Sequence, residues 1–324
     1  MRFAPRLWFL VGVLVLGVIC AQAAPPARIG LLALGSNPTD SQSPTWLQLI
    51  GSLRLLGWVE GKTALFDVGY GEGSVERLEQ RAMEIARANP ALVFTSGGSE
   101  AAAMRKASSH VAIVMIHGLD PVGRGYAQSL RRPGGNMTGL TLRATGMIGK
   151  QIEILRESVP RARRIAVIMG KHQPADMLRE VEQAAAKFGI SYIEVTPGKP
   201  EEFDALFARL LRERVDAYLA PLDALTFPHR VQFCVAAAKA RMPGIAESAA
   251  YAEAGCLLSY GANLAMLSQR AAAIGDKILR GARPADVPIE APTHFDFRIN
   301  GKTARDLGIV VPPSVLVRAD RVIE

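Results

Sequence analysis

The chain has 324 residues, 49% of them hydrophobic and 21% charged, with a formal net charge of +8. That length supports two domains of ordinary size. Lys and Arg are scattered among Asp and Glu, without a long basic run or interleaved aromatics, which argues against a phosphate-tracking nucleic-acid surface.

A leader comes first. Arg2 and Arg6 form a positive n-region, residues 7–19 an apolar h-region, and Ala21-Gln22-Ala23 a small-x-small cleavage pattern. Together they predict a secretory signal over residues 1–23 and a periplasmic destination. The apolar run is shorter than the roughly 18 to 20 residues that span a bilayer. Cys20 offers a lipoprotein alternative, but bulky Ile19 stands where a small residue is expected, so a lipid anchor is the weaker reading. Loss of Arg2 and Arg6 lowers the net charge from +8 to +6.

Buried parallel strands are predicted at residues 29–34, 91–95, 111–116, 165–169 and 217–220, each short, apolar and closed by small or polar residues. Residues 64–70 and 192–195 read as weaker strands. Amphipathic helices alternate with them: Trp46, Leu49, Ile50, Leu53 and Leu56 share one face, as do Phe203, Leu206, Phe207, Leu210 and Leu211, and Leu264, Leu267, Ala271, Ile274 and Ile278. This alternation predicts an α/β fold of two Rossmann-like lobes with parallel sheets. Arg131-Arg132-Pro133-Gly134-Gly135-Asn136 breaks the rhythm, an extended segment 137–142 follows, and residues 141–146 read as the first passage between lobes. The helix from Asn263 lies back on the first lobe and the tail 295–324 crosses again, giving a multi-strand hinge. The N-terminal lobe is residues 24–142 with about 262–292, and the C-terminal lobe residues 143–261 with about 293–324.

In open parallel sheets ligands sit beyond the carboxyl ends of the strands. After the first strand, Ser36 and Asn37 offer hydrogen bonds, or form an ordinary turn. After the third, Ser96, Gly97, Gly98 and Ser99 open a helix whose free amides and dipole favour a carboxylate; Glu100 either tempers that preference or points to solvent and serves the dipole. The same residues also read as a simple cap. Asp120 before Pro121 reads as a helix N-cap ahead of a ligand contact, and lone His117 as a structural histidine. In the second lobe Asp223 follows a strand and is the carboxylate best placed for a ligand ammonium, or caps the next helix. Glu247 holds the equivalent place after the next strand. Tyr70, Tyr126 and Tyr260 are the nearest stacking candidates in a chain with few aromatics.

No G-x-S-x-G elbow or HExxH motif appears, and the five histidines lack ligand spacing. No catalytic residue, metal or cofactor is expected. Cys234 and Cys256, the two cysteines beyond the leader, show no zinc or CxxC spacing. They read as two buried free thiols, with pairing left open.

Asp120-Pro121-Val122-Gly123, followed by Arg132-Pro133-Gly134-Gly135-Asn136-Met137-Thr138-Gly139-Leu140, resembles a signature of ABC-transporter substrate-binding proteins of the tryptophan/tyrosine type. Ala246-Glu247-Ser248, Ser259-Tyr260-Gly261, the run from Lys277 to Pro288 and the ending from Pro312 to Glu324 continue the resemblance over about residues 28–324. The resemblance implies a type I periplasmic-binding-protein fold with a three-part hinge. It also implies a monomer that closes on a small solute, an amino acid or related small carboxylate, and delivers it to an ABC permease in the inner membrane. The pocket would draw on Ser36, Asn37, Ser96, Gly97, Gly98, Thr138, Asp223 and Glu247. The first lobe would hold an anionic end of the solute and Asp223 its amine. The alternative is a ligand-sensing input for a membrane kinase or chemoreceptor.

Overall fold

The computed structural model describes residues 25–35, 44–142, 146–170, 175–223 and 225–324. The leader with Cys20, and the loop carrying Ser36 and Asn37, lie outside the described residues.

The first lobe contains β1 (Ala27–Ala33), α1 (Pro44–Leu55), β2 (Ala64–Tyr70), α2 (Val75–Arg87), β3 (Leu92–Thr95), α3 (Gly98–Ala107), β4 (Ile113–Gly118) and β5 (Met137–Thr141). Its five strands are all parallel, in the order β2-β1-β3-β4-β5. Every residue of β3 is buried, as a strand covered by helices on both faces requires. The helices form where apolar spacing and caps agree. In α2, Leu78, Ala82 and Ile85 line the inner face, and the Ser74 side chain accepts the Arg77 amide as N-cap.

The chain continues through α4 (Met147–Ser158), β6 (Arg164–Ile168), α5 (Ala175–Phe188), β7 (Ser191–Val195), α6 (Phe203–Arg212), β8 (Ala217–Ala220), α7 (Arg230–Lys239), β9 (Gly244–Ala246), α8 (Ala249–Glu253) and β10 (Leu258–Ala262). Then come α9 (Leu264–Leu279), β11 (Phe295–Asn300), α10 (Gly301–Leu307), α11 (Pro313–Leu316) and β12 (Arg321–Ile323). The second sheet runs β12-β11-β10-β9-β8-β6-β7. Strands β7-β6-β8-β9-β10 repeat the order of the first sheet. The addition is β11, antiparallel to β10, with β12 parallel beside it.

Helix α9 belongs spatially to the first lobe. Leu267, Ala271, Ile274 and Ile278 share a core with Trp46, Leu49 and Leu53 of α1 and with Phe94 of β3. Gly275 permits the approach, since a Cβ there would stand 2.3 Å from the Phe94 ring. The second lobe has separate cores on its two sheet faces. One of them gathers Phe203, Phe207, Tyr218, Phe233 and Tyr251, with ring centroids 5.2–6.0 Å apart in mostly edge-on contacts.

The two cysteines depart from the free-thiol expectation. Cys234 of α7 and Cys256, just before β10, form a disulfide with Cα atoms 4.9 Å apart. They lie 22 residues apart in sequence, and only the packing of α7 beside α8 brings them together.

The chain passes between the lobes three times: after Leu142, at Ala262–Asn263, and between Glu290 and Phe295. Asn263 works on both sides of the second passage. Its Oδ1 accepts the Met266 amide and caps α9, while its Nδ2 donates to the Asp296 carboxylate of β11 at 3.1 Å. At the third passage, Thr141 donates its amide to the Glu290 carbonyl and Glu290 donates its own to Gly139, so the strap runs along β5 before leaving the first lobe. Leu222, in the loop after β8, packs against the cores of both lobes. The carboxyl edge of the second sheet therefore reaches the first lobe.

Candidate functional site

The strand order reverses between β1 and β3 in the first sheet and between β6 and β8 in the second. The loops leaving these strands mark the two topological switch points, where α/β sheets hold ligands. Both are fastened by the same device.

In the first lobe, Glu100 on the opening turn of α3 faces inward, not to solvent, and is buried. Its Oε1 accepts the Leu34 amide at 2.8 Å and the Ser96 hydroxyl at 2.5 Å. The carboxylate also lies close to Gly97, the N-cap of α3, which is extended and contributes no side-chain cap. The anion-favouring end of α3 thus already has a negative charge of the protein's own. Ser96 remains at the switch point with its hydroxyl engaged, Gly97 and Gly98 are half-buried, and Ser99 is exposed.

In the second lobe, Asp223 follows β8 as Glu100 follows β3. Its Oδ2 accepts the Gly170 amide after β6 at 2.9 Å, and its Oδ1 accepts the amides of Leu225 and Thr226 at 2.8 and 3.2 Å. Asp223 therefore caps the turn that follows it and ties two loops together, but it does not cap the next helix, whose N-cap position is His229. A carboxylate has about four acceptor positions, so three amides leave room for one more partner on this half-buried group. Glu247, after β9, is buried, and its Oε2 accepts the Leu222 amide at 2.9 Å. Gly261 of β10 makes this crossing possible: a Cβ there would stand 1.5 Å from the Glu247 carbonyl oxygen.

His117 lies near the end of β4. Burial pushes its pKa down from 6.5 to about 4, against the opposing pull of a hydrogen bond to the Ser96 backbone. The residue keeps some exposed surface, but Nε2 is buried and has no hydrogen-bond partner among the described residues.

Two expected residues have other roles. Asp120 caps no helix: residues 121–125 form turns, Asp120 takes a left-handed φ of 45°, and its Oδ1 accepts the Gly123 amide at 2.8 Å. A tight turn needs that geometry, and a helix would not accommodate it. Thr138 is fully buried in β5, and its hydroxyl donates to the Val287 carbonyl at 2.7 Å, anchoring the strap that becomes the third passage. It faces the first lobe's interior. Of the stacking candidates, Tyr126 lies under the Arg105 guanidinium and Tyr260 stacks on Phe295. Most of the second lobe's aromatic rings are enclosed in its core, away from the strand-end loops.

The switch-point loops thus converge on Ser96, Gly97, Gly98 and Glu100 in one lobe and Asp223 and Glu247 in the other. Sequence reasoning set Glu100 aside. Its signal was a carboxylate on the first helical turn, where it interacts favourably with the dipole. Among the described residues no group of three or more His, Cys, Asp or Glu is arranged to hold a metal.

Residues 40–323 match the family described as ABC transporter substrate binding protein. A tyrosine-binding protein of Clostridioides difficile is 22% identical over 282 residues, covering 86% of this chain and 80% of that protein. A conserved domain protein of Vibrio cholerae superposes with a TM-score of 0.85 at 26% identity, covering 92% of this chain and 100% of that one. An ABC domain from Streptococcus pneumonia, solved in complex with L-Trp, gives a TM-score of 0.84 at 23% identity with the same coverage.

Proposed function

The chain belongs to the ABC transporter substrate-binding protein family, an extracytoplasmic, solute-binding family, and from that premise we propose that it captures an amino acid between its two lobes. Its type I periplasmic-binding-protein fold supports this reading. The observation that carries the proposal is the carboxylate fixed at each switch point: Glu100 in the first lobe, Asp223 with Glu247 in the second. An acidic lining favours a ligand that brings an ammonium group and disfavours a simple carboxylate. Asp223, oriented by three backbone amides, offers its remaining acceptor position to the amine. The ligand's carboxylate is then left to neutral donors away from Glu100, for which Ser36 and Asn37 are the candidates. The relative that binds tyrosine is consistent with such a solute.

The protein works by binding without turnover, as a monomer in the periplasm, after its leader is removed. The Cys234–Cys256 disulfide is in keeping with an oxidising compartment. The solute favours the closed form because it meets both lobes only there, and the closed form is what a permease in the inner membrane recognises.

The test is a thermal-shift and calorimetric screen of the purified protein against amino acids and their deaminated carboxylates. An amino acid should raise the melting temperature with concentration, while its deaminated analogue should not. Asp223→Ala should weaken binding by at least ~2 kcal/mol, the scale for a lost buried charge partner. Asp223→Asn keeps an acceptor for the loop amides but removes the charge, so it should lose affinity with a smaller loss of stability. Unchanged affinity in both variants sinks the assignment of Asp223.

A further inference from the structure

A half-open pocket lies away from the switch-point loops. It is a cavity of about 320 Å³ on the α4 face of the second lobe. Lys150 and Ile154 come from α4, Tyr260 from β10, Phe295 and Phe297 from β11, and Arg318 and Asp320 from the segment before β12. Its walls are the elements next to the three passages: α4 begins after the first, β10 ends at the second and β11 starts after the third.

The lining combines rings with charges of both signs. Tyr260 lies nearly parallel to Phe295, with centroids 5.7 Å apart and planes 11° apart. Phe297 meets Tyr260 edge-on at 6.3 Å. Tyr260 and Phe295 both keep partial exposure. Lys150 Nζ donates to Glu153 at 2.5 Å, and Arg318 pairs with Glu153 and Glu157. Each cation retains further N–H donors beyond these bonds. Asp320 accepts the Phe297 amide through Oδ2 at 2.7 Å, leaving its other oxygen for a second donor. With Glu153, Glu157 and Asp320 alongside Lys150 and Arg318, a purely anionic ligand meets three carboxylates against two cations. A ligand that carries both charges finds a partner for each.

We propose that this pocket beside the hinge is a second ligand site, separate from the interlobe site, and that it takes a ring-bearing zwitterion of amino-acid size. The ring stacks on the face of Tyr260, the acid group engages Lys150 and Arg318, and the amine engages Asp320. The volume sits at the small end of ligand pockets, which run from about 300 to 1,000 Å³, and suits a single ring with a short polar arm.

L-Phenylalanine is the probe, followed by equilibrium dialysis and ligand-observed NMR on the purified full chain. The background is Asp223→Ala, which weakens the interlobe site and leaves the pocket untouched. In that background phenylalanine should still bind. Ile154→Trp, which fills the volume, should then lower the affinity by about tenfold or more, and Lys150→Glu by about fivefold, the scale of a lost charge-assisted contact. Lys150 is a partly exposed surface residue, so its variant keeps the test valid if Ile154→Trp does not fold. Phenylalanine binding that neither pocket variant weakens overturns the proposal, as does no binding by the Asp223→Ala protein at about 5 mM ligand, a concentration that reveals even millimolar dissociation constants. A failure of the interlobe reading would show differently: Asp223→Ala would leave solute affinity unchanged while the pocket variants still lowered phenylalanine binding.

Discussion

At the residue scale, one arrangement recurs: a side chain after one strand reaches the backbone after its neighbour. Glu100 accepts the Leu34 amide, Asp223 that of Gly170 and Glu247 that of Leu222, while His117 bonds to the Ser96 backbone. The histidine makes this measurable. Its pKa is about 4 in the folded protein, against an ordinary value of 6.5, so between those values the unfolded chain binds the extra proton. Its contribution to stability is complete above about pH 6.5, declines as pH falls and levels off below about pH 4. At about 1.4 kcal/mol per pKa unit, the whole effect is about 3 kcal/mol. His117→Gln should flatten the stability–pH profile across that window in urea titrations, and an unchanged profile would show that another group controls it. The positions of Asp223 and Glu247 were legible in the sequence, because each follows an apolar strand. Their amide partners were not, since those belong to other loops and become neighbours only when the sheet assembles. The role of Glu100 was hidden for the same reason: its inward orientation depends on β1 lying beside β3.

At the scale of elements, the strands of the first sheet and β6, β7 and β8 were readable as apolar runs and α1, α6 and α9 as amphipathic faces, whereas β10, β11 and β12 were not. Apolar runs of four to six residues between helices of ten or more admit few other interpretations. Contacts between elements were less accessible. The disulfide joins α7 to the loop before β10, and nothing in the spacing of Cys234 and Cys256 announces that α7 and α8 are neighbours. The link closes a short loop beside the aromatic cluster of Phe203, Phe207, Tyr218, Phe233 and Tyr251. Replacing both cysteines by serine should cost about 3 kcal/mol by the loop-entropy argument. Denaturation should show a lower midpoint, and reductant should reproduce the shift in the wild-type protein alone. An equal response of the variant to reductant would mean the bond contributes nothing. Few aromatics were available for a stacking wall because the core of the second lobe encloses most of those it has.

At the scale of the molecule, two sheets that share the order of five strands belong to two lobes, and the chain passes between them three times. Asn263 joins the parts most directly, capping α9 in one lobe and donating to Asp296 in the other. Asn263→Ala should cost about 1 kcal/mol through the lost cap. Asn263→Asp retains a cap acceptor but sets a negative charge against Asp296, so it should preserve α9 while loosening the hinge. Its solute affinity should change more than its unfolding midpoint, and parallel changes in both would argue against a hinge role. The return of α9 has a further consequence for how the protein comes into being. The core beneath α1 is completed by residues more than two hundred positions later in the chain, so the first half emerges with its apolar face uncovered and cannot close early. Such late closure suits a polypeptide that is threaded through a membrane before it folds. It also places the whole burden of keeping that face from sticking to other chains on the interval between the appearance of Trp46 and the arrival of Ile274.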